Sequence, residues 1–500
     1  MGKSNNAARY VELERKFDAP ESGVTPSFDG LAVVSRVEKP PTEHLAAVYF
    51  DTANHDLAVN WMTLRRRTGG HDAGWHLKLP AGAARTEIRA PLGPHEGSGA
   101  IPETLLDVAR AIVRDRPLMP VARISTERDV TMLYGTDGNA LAEFSNDTVT
   151  AARLNPADGS AEAEQQWREW ELELVDAGIP DADAILERLA NRVLDAGGTP
   201  AAHGSKLAKV LGETTPARPE PPSDPVHRAV AEQVAELLAW DRAVRADADD
   251  AVHQMRVTIR QIRSLLQASE DEFGLTDDAT ILSELRELAG VLGIARDAEV
   301  LADRYRDALD ALPPELVRGP VRQRLVDGGW LRYQAGLARS LKAMRSERYF
   351  RLLDALDVVV VSAPPPDDEH PHATIHSAYK RVRNRARAVE EAVDELALDD
   401  ALHRVRKAAK RLRYIAAATG NTGVSAAAKT IQGLLGDHQD SVVSRTFLLS
   451  EASVAHDDGE DTFTFGVLYQ REEELAQQCR DQLTTALKAL RHSVRAIQPE

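Results

Sequence analysis

Hydrophobic and polar positions alternate with a period of two in several stretches of the first ~210 residues, and with a helical period from about residue 226 onward. In Val11 to Phe17 the alternation places Glu12, Glu14 and Lys16 on one face of a strand, and Val11, Leu13 and Phe17 on the other, because successive side chains of a strand leave on opposite sides. The apolar face can pack. Two carboxylates and an ammonium on the opposite face suit either a half-exposed, solvated strand or the wall of a polar cavity, since buried charge is costly unless paired or bound to metal. The same alternation recurs at Leu64 to Arg67, Trp75 to Leu79, Arg85 to Ile88 and Glu169 to Leu174. Turn signals at Thr68-Gly69-Gly70, Thr136-Asp137-Gly138-Asn139 and Asn155-Pro156-Ala157-Asp158-Gly159 predict hairpins and an antiparallel sheet. Two helical patterns interrupt it, Ile101 to Arg114 and Ala182 to Leu194, the second stopped by Gly197-Gly198.

Strands with one charged face of mixed sign and one apolar face predict a barrel with a polar lumen and an exterior covered by helices. The lumen side would hold Glu12, Glu14, Lys16, Arg65, Arg67, Lys78, Arg85, Glu87, Glu143, Asp147, Glu169 and Glu171. Acids on some strands and bases on others would let the acids coordinate a divalent metal while the bases grip phosphate oxygens. That combination is phosphoryl chemistry.

After Lys209 the pattern breaks. Residues Gly212 to Pro225 contain five prolines and read as an extended linker, giving units at 1–211 and 226–500 around a linker at 212–225. Beyond it, Met255, Ile259, Ile262 and Leu266 form an apolar stripe at helical spacing, with His253, Arg256, Arg260 and Arg263 beside it. The pattern returns 150 positions later: Val405, Ala409, Leu412 and Ala416 are apolar, and His403, Arg406, Lys410 and Arg413 basic. Leu292 to Asp297 and Leu435 to Asp440 echo each other as Leu-Gly-x-x-x-Asp turns. The duplication predicts two related helical bundles.

Composition narrows the function. A chain of 500 residues, 43% hydrophobic and 28% charged, is globular and long enough for two to four domains of roughly 150 residues. It has no apolar run of membrane-spanning length and no signal-peptide core, so the expected location is the cytoplasm. One cysteine, Cys479, leaves oxygen or imidazole ligands for any metal. A net charge of −17 argues against general attraction to nucleic acid. Against that background, Ala251 to Ser269, Ala373 to Val389 and Ala401 to Gly436 carry clustered Arg and Lys without a single Asp or Glu. Such patches could bind a polyanion; a solvated helix face is the plainer reading.

These motifs carry two resemblances. Residues 8–212 resemble a CYTH domain of the triphosphate tunnel metalloenzyme family. The matching residues are the Glu-x-Glu-x-Lys run at Glu12, Glu14 and Lys16, Tyr49-Phe50-Asp51-Thr52 before Leu64-Arg65-Arg66-Arg67, Lys78, Arg85-x-Glu87, Arg123, Arg128, Glu143 with Asp147, Glu169-x-Glu171-x-Glu173, and Gly204-Ser205-Lys206. The resemblance implies an α+β chain opening with an eight-stranded antiparallel tunnel that binds triphosphate and needs Mg²⁺ or Mn²⁺. Residues 226–495 resemble a CHAD domain, an all-α fold associated with inorganic polyphosphate. Here the match lies in the two His-x-x-Arg helices, the Lys410-Arg411-Leu412-Arg413-Tyr414 run and the two Leu-Gly-x-x-x-Asp motifs.

The resemblances imply roles. Glu12, Glu14 and Lys16 would be catalytic, and Glu12, Glu14, Glu143, Asp147, Glu169 and Glu171 would hold the metal. Lys16, Arg65, Arg67, Lys78, Arg85, Arg123, Arg128 and Lys206 would bind substrate phosphates. His253, Arg256, Arg260, Arg263, Lys380, Arg383, His403, Arg406, Lys407, Lys410 and Arg413 would bind polyphosphate in a shared groove. The expected function is hydrolysis of inorganic triphosphate, with long-chain polyphosphate as a partner, association with polyphosphate granules, no specific nucleic acid and no membrane. No aromatic pocket for a nucleobase or thiazole is evident. ATP cyclisation, hydrolysis of thiamine triphosphate or of RNA 5′-triphosphate, and a non-catalytic polyphosphate-binding role are the alternatives.

Overall fold

The computed structural model describes residues 8–20, 23–81, 84–93, 100–155, 158–217, 220–268, 280–361 and 375–497, with residues 8–12, 81, 84, 85, 225, 226, 268, 396 and 418 as backbone only. Period-two alternation becomes strands: β1 (Ala8–Glu12), β2 (Glu14–Asp18), β3 (Arg36–Glu38), β4 (Glu43–Asp51), β5 (Thr63–Thr68), β6 (Gly74–Ala81), β7 (Ala84–Ala90), β8 (Met119–Tyr134), β9 (Ala140–Arg153), β10 (Gln165–Leu174) and β11 (Thr199–Pro200). They form one eleven-stranded sheet in the order β1-β7-β6-β5-β4-β8-β9-β10-β2-β11, with β3 on β8. Every pairing is antiparallel.

The count differs from the expected eight for local reasons. β3 and β11 are short additions of three and two residues. The run expected to be one strand at Val11 to Phe17 breaks at Leu13: β1 pairs with β7, while β2 pairs with β10. Consecutive strands β1 and β2 thus lie at opposite sides of the hydrogen-bonded order, β2 with only the two-residue β11 beyond it, and the sheet is not seen closed into a barrel.

The turns follow their glycines. Gly69 and Gly70 both have positive φ between β5 and β6, and a Cβ at Gly69 would lie 2.0 Å from the His44 carbonyl oxygen, so only glycine fits this backbone. Asp137 closes the β8–β9 turn by accepting a 3.0 Å hydrogen bond from the Asn139 amide. Pro156 and Ala157 of the third expected turn lie outside the described residues.

The first helices, α1 (Asp56–Val59), α2 (Glu103–Val113), α3 (Ala182–Asp195) and α4 (Lys206–Leu211), accompany the sheet. The helix α3 buries Leu186, Leu189, Ala190 and Val193 with Phe17, Phe144, Trp170 and Leu172 of β2, β9 and β10. The helix α2 buries Leu105, Ala109, Ile112 and Val113 with Leu64, Trp75, Leu77 and Ile88 of β5 to β7. Apolar strand faces are therefore covered by helices, and the charged faces point the other way.

From residue 225 the described chain is helical: α5 (Pro225–Arg245), α6 (Ala251–Ala268), α7 (Thr280–Asp310), α8 (Gly328–Ala343), α9 (Glu347–Val361), α10 (Ile375–Glu390), α11 (Glu395–Ala418), α12 (Thr422–Asp457) and α13 (Phe463–Arg495). Both predicted apolar stripes are fully buried: Met255, Ile259, Ile262 and Leu266 on α6, and Val405, Ala409, Leu412 and Ala416 on α11. The two Leu-Gly-x-x-x-Asp motifs are not turns. They run through the interiors of α7 and α12, and a Cβ at Gly436 would meet Arg406 at 3.5 Å, an ordinary contact distance.

The chain divides into two compact units, Met1–Ala289 with Leu341–Pro364, and Gly290–Ser340 with Pro365–Glu500. In the first, α5 and α9 group with the sheet. Leu238 of α5 packs on the α2 core, Arg114 pairs with Asp354 and Asp357, and Arg345 and Arg351 reach back to Asp107 and Asp115. In the second, α10, α11, α12 and α13 share a core around Val382, Val405, Ile431 and Leu490.

Candidate active site

The charged strand faces surround a cavity of ≈ 670 Å³. The helix α4 closes it from one side: Ser205 caps the helix by accepting from the Ala208 amide at 3.1 Å, and Leu207, Val210 and Leu211 pack with Ala47, Tyr49, Ile124 and Val149. An apolar floor beside charged walls lowers the local dielectric, which strengthens electrostatics inside.

One wall is acidic and is set by register. Across β2, β10 and β9, Glu14, Glu173 and Glu143 form one rung, Lys16, Glu171 and Ser145 the next, and Asp18, Glu169 and Asp147 the third. Residues directly opposite in antiparallel strands share a face. Asp147, Glu169 and Glu171 bring one carboxylate oxygen each within 4.8 Å of one another. Three cations hold them. Arg128 donates Nε and Nη2 to Asp147 at 2.8 and 2.7 Å and Nη2 to Glu171 at 2.5 Å. Lys206 Nζ lies 2.8 Å from Asp147, 2.7 Å from Glu169 and 2.9 Å from Glu171. Lys16 pairs with Glu171, and with Glu14 at 2.9 Å. Burial pushes Glu171 and Asp147 up, but the neighbouring cations outweigh it and hold both below the usual carboxylate range. Burial likewise opposes the charge on Lys16, and Glu14 and Glu171 overcome it.

The other wall is basic and is organised by one buried acid, Glu87. His76 Nδ1 lies 2.9 Å from Glu87, Arg65 3.7 Å and Lys78 4.0 Å, and Arg89 pairs with it. Arg67 pairs with Asp72; burial, with Arg65 and Arg128 nearby, pushes it down to about 9, so it stays charged at neutral pH. The Nε atoms of Arg65 and Arg67 are buried without a hydrogen-bond partner. Buried donors of this kind are normally satisfied, and both side chains line the cavity.

Of the residues expected here, Glu14, Lys16, Arg65, Arg67, Lys78, Arg128, Glu143, Glu171 and Lys206 line the cavity. Asp147 and Glu169 are buried behind it, joined to it through Lys206. Glu12 and Arg85 are described as backbone only, paired directly across β1 and β7. Arg123 stands apart from the cavity. On β8 it alternates with Ile124, Thr126 and Arg128, so its side chain is exposed on the opposite face. Sequence reasoning assigned no role to Glu173 or Arg89, both of which line the cavity; each continues an alternation already recognised, at Glu171 and Glu87. Asp72, in a loop, has no such signal.

The helical site residues fall into two groups. His253, Arg256, Arg260 and Arg263 are half-buried on α6 in the first unit, and His403, Arg406, Lys410 and Arg413 are half-buried on α11 in the second. Lys380, Arg383 and Lys407 are exposed. Between α10 and α11, Arg381, Asn384, Arg385, Arg404, Lys407 and Arg411 line a groove of ≈ 600 Å³; of these, Lys407 was expected from the sequence.

Residues 11–190 match the CYTH domain and residues 228–449 the CHAD domain. Two uncharacterized proteins from different strains of Mycobacterium tuberculosis are each 61% identical over 503 residues, covering 98% of both chains. The chain belongs to the CYTH–CHAD family. CYTH proteins generally act on triphosphates and use a divalent metal, and the all-oxygen set at Asp147, Glu169 and Glu171 suits a hard cation such as Mg²⁺ or Mn²⁺. Similar solved structures include PptA from Streptomyces chartreusis (19% identical, TM-score 0.42, covering 54% of this chain and all of that one). The CHAD domain of Ricinus communis is 21% identical with a TM-score of 0.36, covering 55% of this chain and 91% of that one. A Hippeastrum protein reported to have a dominant triphosphatase activity is 18% identical with a TM-score of 0.25, covering 42% and 98%. Among the described residues no helix is long and apolar enough to cross a membrane.

Proposed function

We propose that the CYTH domain hydrolyses inorganic triphosphate with Mg²⁺ or Mn²⁺ inside a closed tunnel, and that the CHAD domain binds inorganic polyphosphate. The observation that carries this reading is the division of one cavity into acidic and basic walls, with unsatisfied donors of Arg65 and Arg67 buried on the basic one. Arg65, Arg67 and Lys78 would hold the phosphate oxygens by charge-assisted hydrogen bonds. Glu14, Asp147, Glu169 and Glu171 would hold the metal, with Glu12 and Glu143 as further ligands. The metal, when bound, supplies Lewis-acid polarisation of the terminal phosphoryl group. Lys16, fixed between Glu14 and Glu171, places a positive charge where the acidic and basic sides meet, stabilising charge that develops on the leaving phosphate. The apolar floor under α4 lowers the local dielectric beside these charges. No side chain is needed as a covalent nucleophile.

A second reading has its own observation. Trp61, 64% exposed, lines a pocket of ≈ 340 Å³ with Met62, His203 and Leu207, and this pocket shares Thr63 and Ser205 with the main cavity. Stacking on Trp61 would suit the organic end of an organic triphosphate. A panel of inorganic triphosphate, ATP and thiamine triphosphate, scored by product with and without Mn²⁺, decides between them. Fastest release from inorganic triphosphate is expected; preference for an organic substrate that Trp61→Ala removes would favour the second reading. No metal-dependent turnover of any substrate would leave a binding protein.

A further inference from the structure

Lys206 was expected among the phosphate-binding bases, yet its ammonium stands on the acidic side. It lies within 2.9 Å of all three carboxylates of the Asp147, Glu169 and Glu171 triad, which is the group of oxygens able to hold a metal ion. We propose that Lys206 is a built-in stand-in cation: its ammonium fills the acidic triad in the absence of metal, and a divalent ion enters by displacing it toward the substrate side of the cavity. The inference rests on the metal-dependent reading above.

Three observations distinguish Lys206 from the other cations of the wall. First, among the described residues its ion pairs are all with the triad, whereas Lys16 also holds Glu14 and Arg128 also approaches Glu143 at 3.8 Å. A metal bound by the triad therefore takes every partner Lys206 has and leaves the other two cations one each. Second, the backbone at Lys206 is fixed. It is the first residue of α4, held by the Ser205 cap and by the buried Leu207, Val210 and Leu211, so the motion falls to its flexible four-carbon stem. Third, Lys206 also lines the open cavity, so the stem has space to swing into without disturbing the core.

The conflict between the two cations is local. On this wall Glu14, Glu143, Asp147, Glu169, Glu171 and Glu173 outnumber Lys16, Arg128 and Lys206, but the three carboxylates of the triad are already occupied by the Lys206 ammonium. Adding a dication while the ammonium keeps its place would set like charges at contact distance where solvent screens them poorly. Movement of Lys206 relieves this and adds a donor to the phosphate side. Metal loading and substrate affinity thereby become linked through one side chain.

The test is calorimetric titration of the full chain with Mn²⁺ in the absence of substrate. Lys206→Met and Lys206→Gln are expected to bind Mn²⁺ tighter by about tenfold or more, and Glu171→Gln to lose binding. Gln keeps hydrogen-bonding capacity, and circular dichroism checks that each variant is folded. In the wild-type protein, reductive methylation of Lys206, read by mass spectrometry, is expected to rise when Mn²⁺ is added. Unchanged or weaker Mn²⁺ binding by both folded variants, with methylation of Lys206 insensitive to Mn²⁺, would overturn the stand-in role while leaving the metal reading intact. Absence of Mn²⁺ binding by wild type and variants alike would overturn both.

Discussion

The CYTH cavity and the α10–α11 face of the CHAD domain both concentrate cations, and they do so on opposite physical terms. In the cavity, the Arg and Lys side chains that line a wall are buried or half-buried, and Glu87, Asp72 or the acidic wall compensates them. On the helices, Arg381, Arg385, Lys407 and Arg411 are exposed, and Arg404 pairs with Asp400 on its own helix. The first arrangement fixes geometry. The second fixes only a field. A buried, pre-paired wall recognises a ligand of set length at set oxygen positions, whereas an exposed basic face attracts any polyanion and weakens with salt.

The largest effect should come from the acidic side. Glu171→Gln removes the carboxylate shared by Lys16, Arg128 and Lys206. Metal-dependent triphosphate release is expected to fall below detection, and stability to drop by about 3–5 kcal/mol, the usual cost of removing one partner from a buried ion network. Urea unfolding at neutral pH measures the second. The pH dependence has a definite sign. Glu171 is held below its ordinary 4.5 in the folded state, so its contribution is present above about pH 4.5 and is lost as pH falls through the lower, folded value. The gap in stability between wild type and Glu171→Gln should therefore close on acidification; a gap constant with pH would remove Glu171 from the network.

Next in size are the basic wall residues. Arg65→Ala and Arg67→Ala are each expected to raise KM for triphosphate by about one to two orders of magnitude, as loss of charge-assisted hydrogen bonds implies. Neither change should alter polyphosphate binding by the helices. An equal loss of both would erase the distinction between the two regions.

The helical face should be the salt-sensitive one. Raising salt from about 50 to about 200 mM is expected to weaken long-chain polyphosphate binding by roughly tenfold or more, through counterion release. The KM for triphosphate should change by less than about threefold, because buried pairs are screened less. Lys407→Glu with Arg411→Glu, both exposed on this face, should flatten the salt slope of polyphosphate binding and leave triphosphate turnover intact. Fluorescence anisotropy of a labelled polyphosphate reads the slope.

Much of this division was legible in the alternation of residues. A period of two states which side chains share a face, so Glu14, Lys16, Arg65, Arg67 and Lys78 could be assembled on one side before any strand was paired. It does not state which strands are neighbours. That is why the break at Leu13 was invisible, although it sends β1 to β7 and β2 to β10. The position of Lys206 was also out of reach: the reach of a side chain from the start of α4 is a three-dimensional fact, and a lysine among arginines in a list of motifs reads as one more phosphate contact. The glycines of Leu-Gly-x-x-x-Asp misled for the opposite reason. Glycine marks turns often enough to suggest one, yet Gly293 and Gly436 both lie within continuous helices. The grouping of α5 and α9 with the sheet uses Leu238 on the α2 core and scattered ion pairs such as Arg114 with Asp354 and Asp357, which leave no periodic trace.

The smallest predicted effect is the sharpest check on the alternation itself. Arg123 belongs to the expected phosphate-binding set, but β8 carries Ile124, Thr126 and Arg128 into the cavity and turns Arg123 outward. Because a strand's period is two, no rotamer change brings a side chain of the outer face through the backbone to the inner one. Arg123→Ala should leave kcat and KM for triphosphate within about twofold of wild type and stability within about 0.5 kcal/mol, the ordinary range for an exposed substitution. Arg128→Ala, five residues along the same strand and on the inner face, should disable the site. A loss at Arg123 comparable to that at Arg128 would mean that the register of β8 against β4 and β9 is not the one that operates in the working enzyme.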